Sequence, residues 1–393
     1  MSVADPMRVL HVTHTAQPGG AELALARLLG QRHPWQAALY APPAGVAFDQ
    51  LPAEEVAQAR DLPTLPTGGT RSGAPLLAAR YLAALRDGAR VLRRSPLFQQ
   101  ADLVHANTAA AAIICALADR AGRRPLVVHL RGPLTVESLG PIGLPAFRRL
   151  ALRRADGLIA NSGFTLASVP PAPRIPAQRT VIQSPSGISE RLAHPEIRPQ
   201  VRAIGMVGRL QHWKGQHVFL RAFAASLRGT DVRAYLCGAP LFGEEAYETQ
   251  LRELAATLGI SEQVTFRGHV DDINGFLDSI DILVHSSLGA EPLGQTVLQG
   301  LARALPVVAT EGGGPGEWIR SGVNGMLVPP GDPDALASVL RTLVASQRLR
   351  HDLATAAAHT PGLLSDADCV ERHAGFFYSV RRAHRSAPVR DAA

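Results

Sequence analysis

Short apolar runs separated by helix-length spacers recur along this 393-residue chain, and that alternation limits the fold more than any single residue does. Residues 8–12, 103–105, 126–130 and 158–160 are compact apolar runs of the kind that form buried strands. After the first of them, the turn Gln17-Pro18-Gly19-Gly20 leads into a helical pattern that begins at Ala21 and Glu22 and runs through Leu23, Leu25, Leu28 and Leu29. A second series follows, with strands at 201–207, 233–237, 264–266, 280–285 and 306–309 and helices at 216–227, 245–258, 295–304 and 334–345. Strands that alternate with helices pair in parallel beneath helical layers on both faces. The pattern predicts two doubly wound α/β domains, at 1–190 and 200–365, and a final helix at 366–386. Residues 183–199, interrupted by Pro185, Pro195 and Pro199, read as the linker, and 42–75 as an irregular stretch rich in Pro, Gly and Thr. Two such halves place a ligand cleft at the carboxyl ends of their strands.

A chain of this length exceeds one ordinary core, and 46% hydrophobic residues suffice to build two. The net charge of +7, carried almost wholly by Arg, has two readings: a solvated basic surface, or attraction to phosphate on a nucleotide or a membrane. Aromatic residues do not interleave with the basic ones as a base-stacking platform needs, so nucleic acid is not an expected partner. The basic runs 86–94 and 148–154 lie on part-apolar helical stretches; they read as a solvated face or as a peripheral membrane contact. Cys115, Cys237 and Cys369 lie far apart and are odd in number, which fits neither a disulfide framework nor a metal site. Residues 1–15 hold no apolar stretch of signal-sequence length, and the longest apolar run, 108–118, is too short to span a bilayer. A cytoplasmic protein is expected, peripheral at the inner membrane face if the basic runs serve that way.

Chemistry gathers at two places. The first is Gly205-Met206-Val207-Gly208-Arg209, followed by Trp213-Lys214-Gly215. A strand running into Gly208 and Arg209 sets that arginine at the carboxyl end of the sheet, and Lys214 stands just before a helix. Two cations there suit a diphosphate, each charge-assisted bond being worth about 1.5–3 kcal/mol. The alternative is a surface turn with two solvated cations. The second place is Glu291-Pro292-Leu293-Gly294-Gln295-Thr296-Val297-Leu298-Gln299. An acid and a Pro-x-Gly loop open an apolar helix whose first-turn N–H groups, from Leu293 and Gly294 to Thr296 and Val297, are unpaired and carry the positive helix end. They suit sugar hydroxyls or phosphate. Glu291 can accept from sugar hydroxyls and Gln299 can reach a ribose; the alternatives are a capping-loop acid and a solvated helix residue. Asp271-Asp272 could suggest a divalent metal, but the pair opens a helix, where acids cap, so no metal site is expected.

These segments resemble the family 4 retaining glycosyltransferases, whose GT-B fold joins two Rossmann-like domains. That family carries a Gly-Arg…Lys-Gly diphosphate clamp, matched by Arg209 and Lys214, and a Glu, seven residues, Glu motif, whose first acid is Glu291. At the second acid this chain has Gln299, a departure that keeps hydrogen-bonding capacity and loses charge. Residues 281–287, the turn from Gly313-Gly314 to Glu317, and Asn324-Gly325-Met326-Leu327-Val328-Pro329-Pro330-Gly331-Asp332 also look like family segments. Pro18-Gly19-Gly20-Ala21-Glu22 is similar to the family's glycine loop, which implies that Gly19 and Gly20 bring backbone N–H groups to the donor phosphate, a closeness that needs a residue without Cβ. The final helix, by the same resemblance, crosses back to pack on the first domain. The first domain departs more. Many relatives carry a His before a Gly after the strand matching 126–130; here Arg131 precedes Gly132. Arg131 reads as a group for phosphate or an anionic acceptor, or as a structural loop arginine. Asn107 is a candidate acceptor or sugar contact. His105 is another, with a core position as its alternative, and His129 reads as a buried histidine.

The resemblance implies a metal-independent retaining hexosyltransferase with no cofactor. The nucleoside-diphosphate sugar is a co-substrate, and a carbohydrate or lipid-linked group is the acceptor. Two rival readings share the architecture: a nucleotide-sugar 2-epimerase, and a non-catalytic nucleotide-sugar-binding protein made conceivable by Gln299 and Arg131.

Overall fold

The computed structural model describes residues 6–66, 75–171, 176, 178–188, 191–192, 197–240 and 244–386. The chain divides into two units, one of residues 1–185 with 366–393 and one of 186–365. In the first unit the apolar runs become β1 (Arg8–Val12), β4 (Leu103–Ala106), β5 (Leu126–Leu130) and β6 (Gly157–Ala160), joined by β2 (Gln36–Tyr40), β3 (Val56–Ala59) and β7 (Gln178–Val181). Their order is β3-β2-β1-β4-β5-β6-β7, and every pair is parallel.

β3 corrects the expectation of an irregular stretch at 42–75. Val56 is fully buried, and the segment pairs with β2 from Ala37↔Val56 to Tyr40↔Ala59. An edge strand needs a ladder on one side only, so one buried apolar anchor suffices where a central strand would need several. The Ala109–Ala118 helix shows the opposite case. It carries no charge, residues 110–118 are all buried, and it packs against both the Pro75–Arg94 helix and the π-helical turn Phe147–Leu152. The C-terminal helix Asp366–Ser386 belongs to this unit. Gly157 on β6 makes room for it: a Cβ there would come within 2.6 Å of Val380 and 3.0 Å of Phe376.

Where that helix meets the sheet, four imidazoles are completely buried, three on strands and His373 on the helix itself. His11 and His105 are register partners on β1 and β4, with their Nδ1 atoms 2.9 Å apart, and His105 Nε2 lies 3.2 Å from His129 Nδ1. The His373 ring is 5.5 Å from that of His129, and Phe377 closes the group 5.3 Å from His105. The Nε2 atoms of His11, His129 and His373 find no hydrogen-bond partner among the described residues. A proton added to this cluster would therefore create a buried, unpaired charge. Burial accordingly lowers the pKa of all four rings, helped by their neighbours and by Arg131, and takes His373 from 6.5 to about 4.

The second unit holds β8 (Ala203–Val207), β9 (Arg233–Cys237), β10 (Val264–Gly268), β11 (Ile282–His285), β12 (Val307–Thr310) and β13 (Met326–Val328), again parallel, in the order β10-β9-β8-β11-β12-β13. Helix Gln216–Leu227 places Phe219 and Phe223 in the same core as Leu336, Leu340 and Leu343 of helix Pro333–Ala345. The helix expected at 295–304 stops at Ala302, and Ala304 adopts a φ of 53°, a left-handed conformation that ends a helix. β8 and β11 are neighbours, but the chain leaves β8 toward β9 and β11 toward β12. The loops after these two strands part, which opens a crevice at the switch point.

The histidine cluster sets the sign of a pH effect. In the folded state these rings stay neutral below 6.5, whereas the unfolded chain protonates them there. Stability is therefore full above pH 6.5 and is lost as pH falls toward about 4. Melting temperature should be flat above neutrality and drop steeply below it. His373→Phe should flatten that slope by about 1.4 kcal/mol per pH unit. A variant as acid-sensitive as the wild-type chain would contradict this account.

Candidate functional site

At the switch point of the second sheet, the two segments singled out in the sequence meet. After β8 the chain turns through Gly208, with a φ of 154°, and Arg209. The Arg209 carbonyl accepts from the buried Gln216 amide at 2.7 Å, which ties this loop to the following helix. Lys214 comes next, its ammonium 4.2 Å from the Trp213 ring centroid. Gly215 then has a φ of 75°, and a Cβ at this position would lie 1.9 Å from the Ser286 carbonyl oxygen. Only glycine allows the turn to seat itself on the end of β11.

The loop after β11 brings Glu291 to the same place. Lys214 Nζ donates to Glu291 Oε2 at 2.7 Å, with the two side chains 18% and 15% exposed. Ser287 Oγ donates to the same oxygen at 3.1 Å, and His285 Nε2 lies 3.5 Å from it. Burial opposes the charged form of Glu291, yet Lys214 and His285 outweigh it and hold the carboxyl far below the usual carboxylate range. Glycines 313 and 314 hold this loop from behind. The Glu291 carbonyl accepts from Gly314 N at 2.7 Å, and a Cβ on Gly313 would strike that carbonyl at 2.3 Å. The Gly-Gly turn is thus the seat of the acidic loop.

Gly294, with a φ of 75°, sits at the N-terminus of helix Gln295–Ala302. Leu293 and Val297 are buried and Thr296 is partly exposed. Gln299 is buried at 5% exposure and donates through Nε2 to the Ser186 carbonyl at 2.6 Å. Its amide nitrogen therefore has a backbone partner within this unit. Asp272, the rejected metal candidate, caps helix Ile273–Ser279 by accepting from Gly275 N. Among the described residues, no group of three or more His, Cys, Asp or Glu side chains is arranged to hold a metal ion.

In the first unit, Gly19 and Gly20 open helix Gly20–Gly30, and a Cβ on Gly19 would come within 2.7 Å of Glu22 Oε2. The space beside Gly19 is filled by the chain's own carboxylate. Asn107, after β4, donates to the Ala21 carbonyl and accepts from Arg131 Nε and Nη2 at 3.1 and 2.5 Å. Arg131 Nη1 donates to Ser184 Oγ at 2.7 Å, so one guanidinium joins the ends of β4, β5 and the segment after β7. Burial lowers its pKa to about 10, opposed by Glu22. His105 lies in the core cluster with both ring nitrogens engaged.

Two residues at the site, Ser287 and His285, were read from the sequence only as part of the family-like segment 281–287 and given no role at the site. Both stand at the carboxyl end of a buried strand, where a polar residue faces the crevice and not the core. That position was the signal available for them.

Residues 190–360 match the family Glycosyl transferases group 1, and residues 18–184 match Glycosyltransferase Family 4. The chain belongs to the family 4 glycosyltransferases, and its fold is GT-B. Lipopolysaccharide core biosynthesis glycosyltransferase LpsE of Rhizobium meliloti is 38% identical over 148 residues, which are 38% of this chain and 41% of that protein. The stretch matching putative glycosyltransferase EpsD of Bacillus subtilis covers 35% of that protein, so less than half of either relative is spanned. A 2-deoxystreptamine N-acetyl-D-glucosaminyltransferase of Streptomyces fradiae is 28% identical over 83% of each chain. Among solved structures, Anabaena Alr3699/HepE in complex with UDP and glucose superposes with a TM-score of 0.77 at 26% identity, covering 95% of this chain and 100% of that one. Sucrose-phosphate synthase from Thermosynechococcus elongatus, with a TM-score of 0.74 at 15% identity, shares the fold.

The Gln299 contact generates a test. Gln299→Glu would set a carboxylate oxygen against the Ser186 carbonyl and should destabilise the protein by about 1–3 kcal/mol in urea unfolding. A midpoint equal to that of the wild-type chain would show that Ser186 needs no donor from this position.

Proposed function

We propose that this protein is a retaining glycosyltransferase that moves a hexosyl group from a nucleoside-diphosphate sugar to an acceptor hydroxyl. The observation that carries the reading is the meeting of Lys214 and Glu291, beside Gly208-Arg209, at the switch point of the second sheet. Cation and carboxylate suit the two ends of one ligand. The diphosphate goes to Arg209, Lys214 and the N–H groups of Gly294, Thr296 and Val297, and the sugar hydroxyls go to Glu291. Anabaena Alr3699/HepE has been solved with UDP-glucose, which supports a uridine diphosphate hexose as the first donor to test.

As the glycosidic bond breaks, negative charge grows on the leaving diphosphate oxygen. Arg209 and Lys214 stabilise that charge, which is the role a metal ion plays in other transferases. The acceptor hydroxyl attacks from the face that the diphosphate leaves and passes its proton to the departing oxygen, so the anomeric configuration is retained. In the first unit, Asn107 and Arg131 take the acceptor, a carbohydrate or lipid-linked group. Relatives named for lipopolysaccharide core biosynthesis support that class. A lipid-linked acceptor also suits the outer helices of this unit, where Arg86, Arg90, Arg148 and Arg149 are exposed, as are Leu76 and Leu150. Among the described residues no helix is long and apolar enough to cross a membrane, so the contact proposed is peripheral, at the inner membrane face.

A thermal-shift panel tests the donor, since a ligand at a hundred times its dissociation constant adds about 2.7 kcal/mol. Arg209→Ala and Lys214→Ala should each reduce kcat about a hundredfold or more while the fold persists. Near-normal turnover in both would overturn the diphosphate assignment. EDTA should leave UDP release unchanged. Inhibition by the chelator, rescued by a divalent ion, would refute metal independence.

A further inference from the structure

Three groups converge on one oxygen of Glu291, in a loop that Gly313 and Gly314 seat from behind. Lys214 Nζ, Ser287 Oγ and His285 Nε2 lie 2.7, 3.1 and 3.5 Å from Oε2. No hydrogen bond or ion pair from the described residues reaches Oε1. A carboxylate held at one oxygen by several donors cannot rotate freely. Its second oxygen then points in one direction, and that oxygen is the one left to accept from a ligand.

The donors are ordered among themselves. A carboxylate only accepts, so the tautomer with its hydrogen on Nε2 suits His285, whose Nε2 faces Ser287 Oγ at 3.3 Å and stands 3.5 Å from Glu291 Oε2. Ser287 accepts from His285 and gives its single hydrogen to Glu291. His285 is 5% exposed, and its Nδ1 is buried with no partner among the described residues. The ring's polar work is therefore done by Nε2 alone. Thr310 Oγ1, at the end of β12, fixes Ser287 in turn by donating to its carbonyl at 2.9 Å.

These contacts explain a division of labour. In the donor-binding reading above, on which this inference rests, Lys214 must also serve the diphosphate. When its charge is drawn there, Glu291 would swing if Lys214 were its only holder. We propose that Ser287 and His285 are positioning residues, which keep Oε2 in place so that Oε1 of Glu291 meets a hydroxyl of the transferred sugar.

The test separates positioning from structure. Ser287→Ala removes one oxygen. His285→Leu forfeits only the Nε2 contact, and His285→Gln restores an N–H near the same place. UDP release from UDP-glucose and acceptor gives kcat, and calorimetry with bare UDP gives nucleotide affinity. The expected result is a ten- to hundredfold fall in kcat for Ser287→Ala and His285→Leu, the scale of a misplaced catalytic contact. UDP affinity should stay within about twofold, and His285→Gln should recover most of the loss.

The proposal falls if both variants keep wild-type kcat while Glu291→Ala is inactive. It falls equally if UDP affinity and melting temperature drop in parallel with kcat, which marks a structural role. If Glu291→Ala itself turns over normally, or the wild-type chain releases no UDP from UDP-glucose, the donor reading beneath it has failed instead and takes the proposal with it.

Discussion

Lys214 and Glu291 are far apart in the chain and meet because β8 and β11 are parallel neighbours whose connections run in opposite directions. Parallel pairing sends both strands' carboxyl ends to one edge of the sheet. The reversal of winding between them clears that edge of connecting chain. Everything distinctive about the second unit depends on this constraint: a cation delivered by one loop, a carboxylate by the other, and a helix N-terminus beside them.

Glycine makes the approach close enough to matter. Gly215 seats the Lys214 turn against the end of β11, and the Gly313-Gly314 turn seats the Glu291 loop. In both places a Cβ would strike a backbone oxygen, so the loops are set by contact between main chains. Side-chain polarity then finishes the arrangement. The buried carboxylate is stable as an anion because Lys214 lies within hydrogen-bond distance and Ser287 and His285 supply further donors.

The first unit uses its polar residues differently. Arg131 is partly exposed and also bound within the unit. Three of its N–H groups engage Asn107 and Ser184, and it braces the carboxyl edge of that sheet. The buried histidines where the C-terminal helix meets the sheet pack as neutral rings. The glycine loop at Gly19 shelters Glu22, a carboxylate of the same chain. A ligand approaching these residues meets a network already formed, and any bond it makes must compete with one in place.

Periodicity was enough to read the alternation of strands and helices, the two doubly wound units and the final helix, because buried parallel strands must be apolar throughout and helices must show a 3.6-residue repeat. The weakly apolar edge strands Val56–Ala59 and Gln178–Val181 lay beyond that reading, since their pairing is backbone bonding that leaves little mark on side chains. At the site, the spacing of Gly208-Arg209, Lys214-Gly215 and Glu291 was legible because loops that approach backbone or charge need those residue types. What only the tertiary structure decided is which atoms meet. It put Ser287 and His285 on one oxygen of Glu291, turned Gln299 to the Ser186 carbonyl, and buried His105 among other imidazoles. Each of those outcomes is a contact between segments distant in sequence or a matter of which way a side chain turns, and a one-dimensional pattern carries neither.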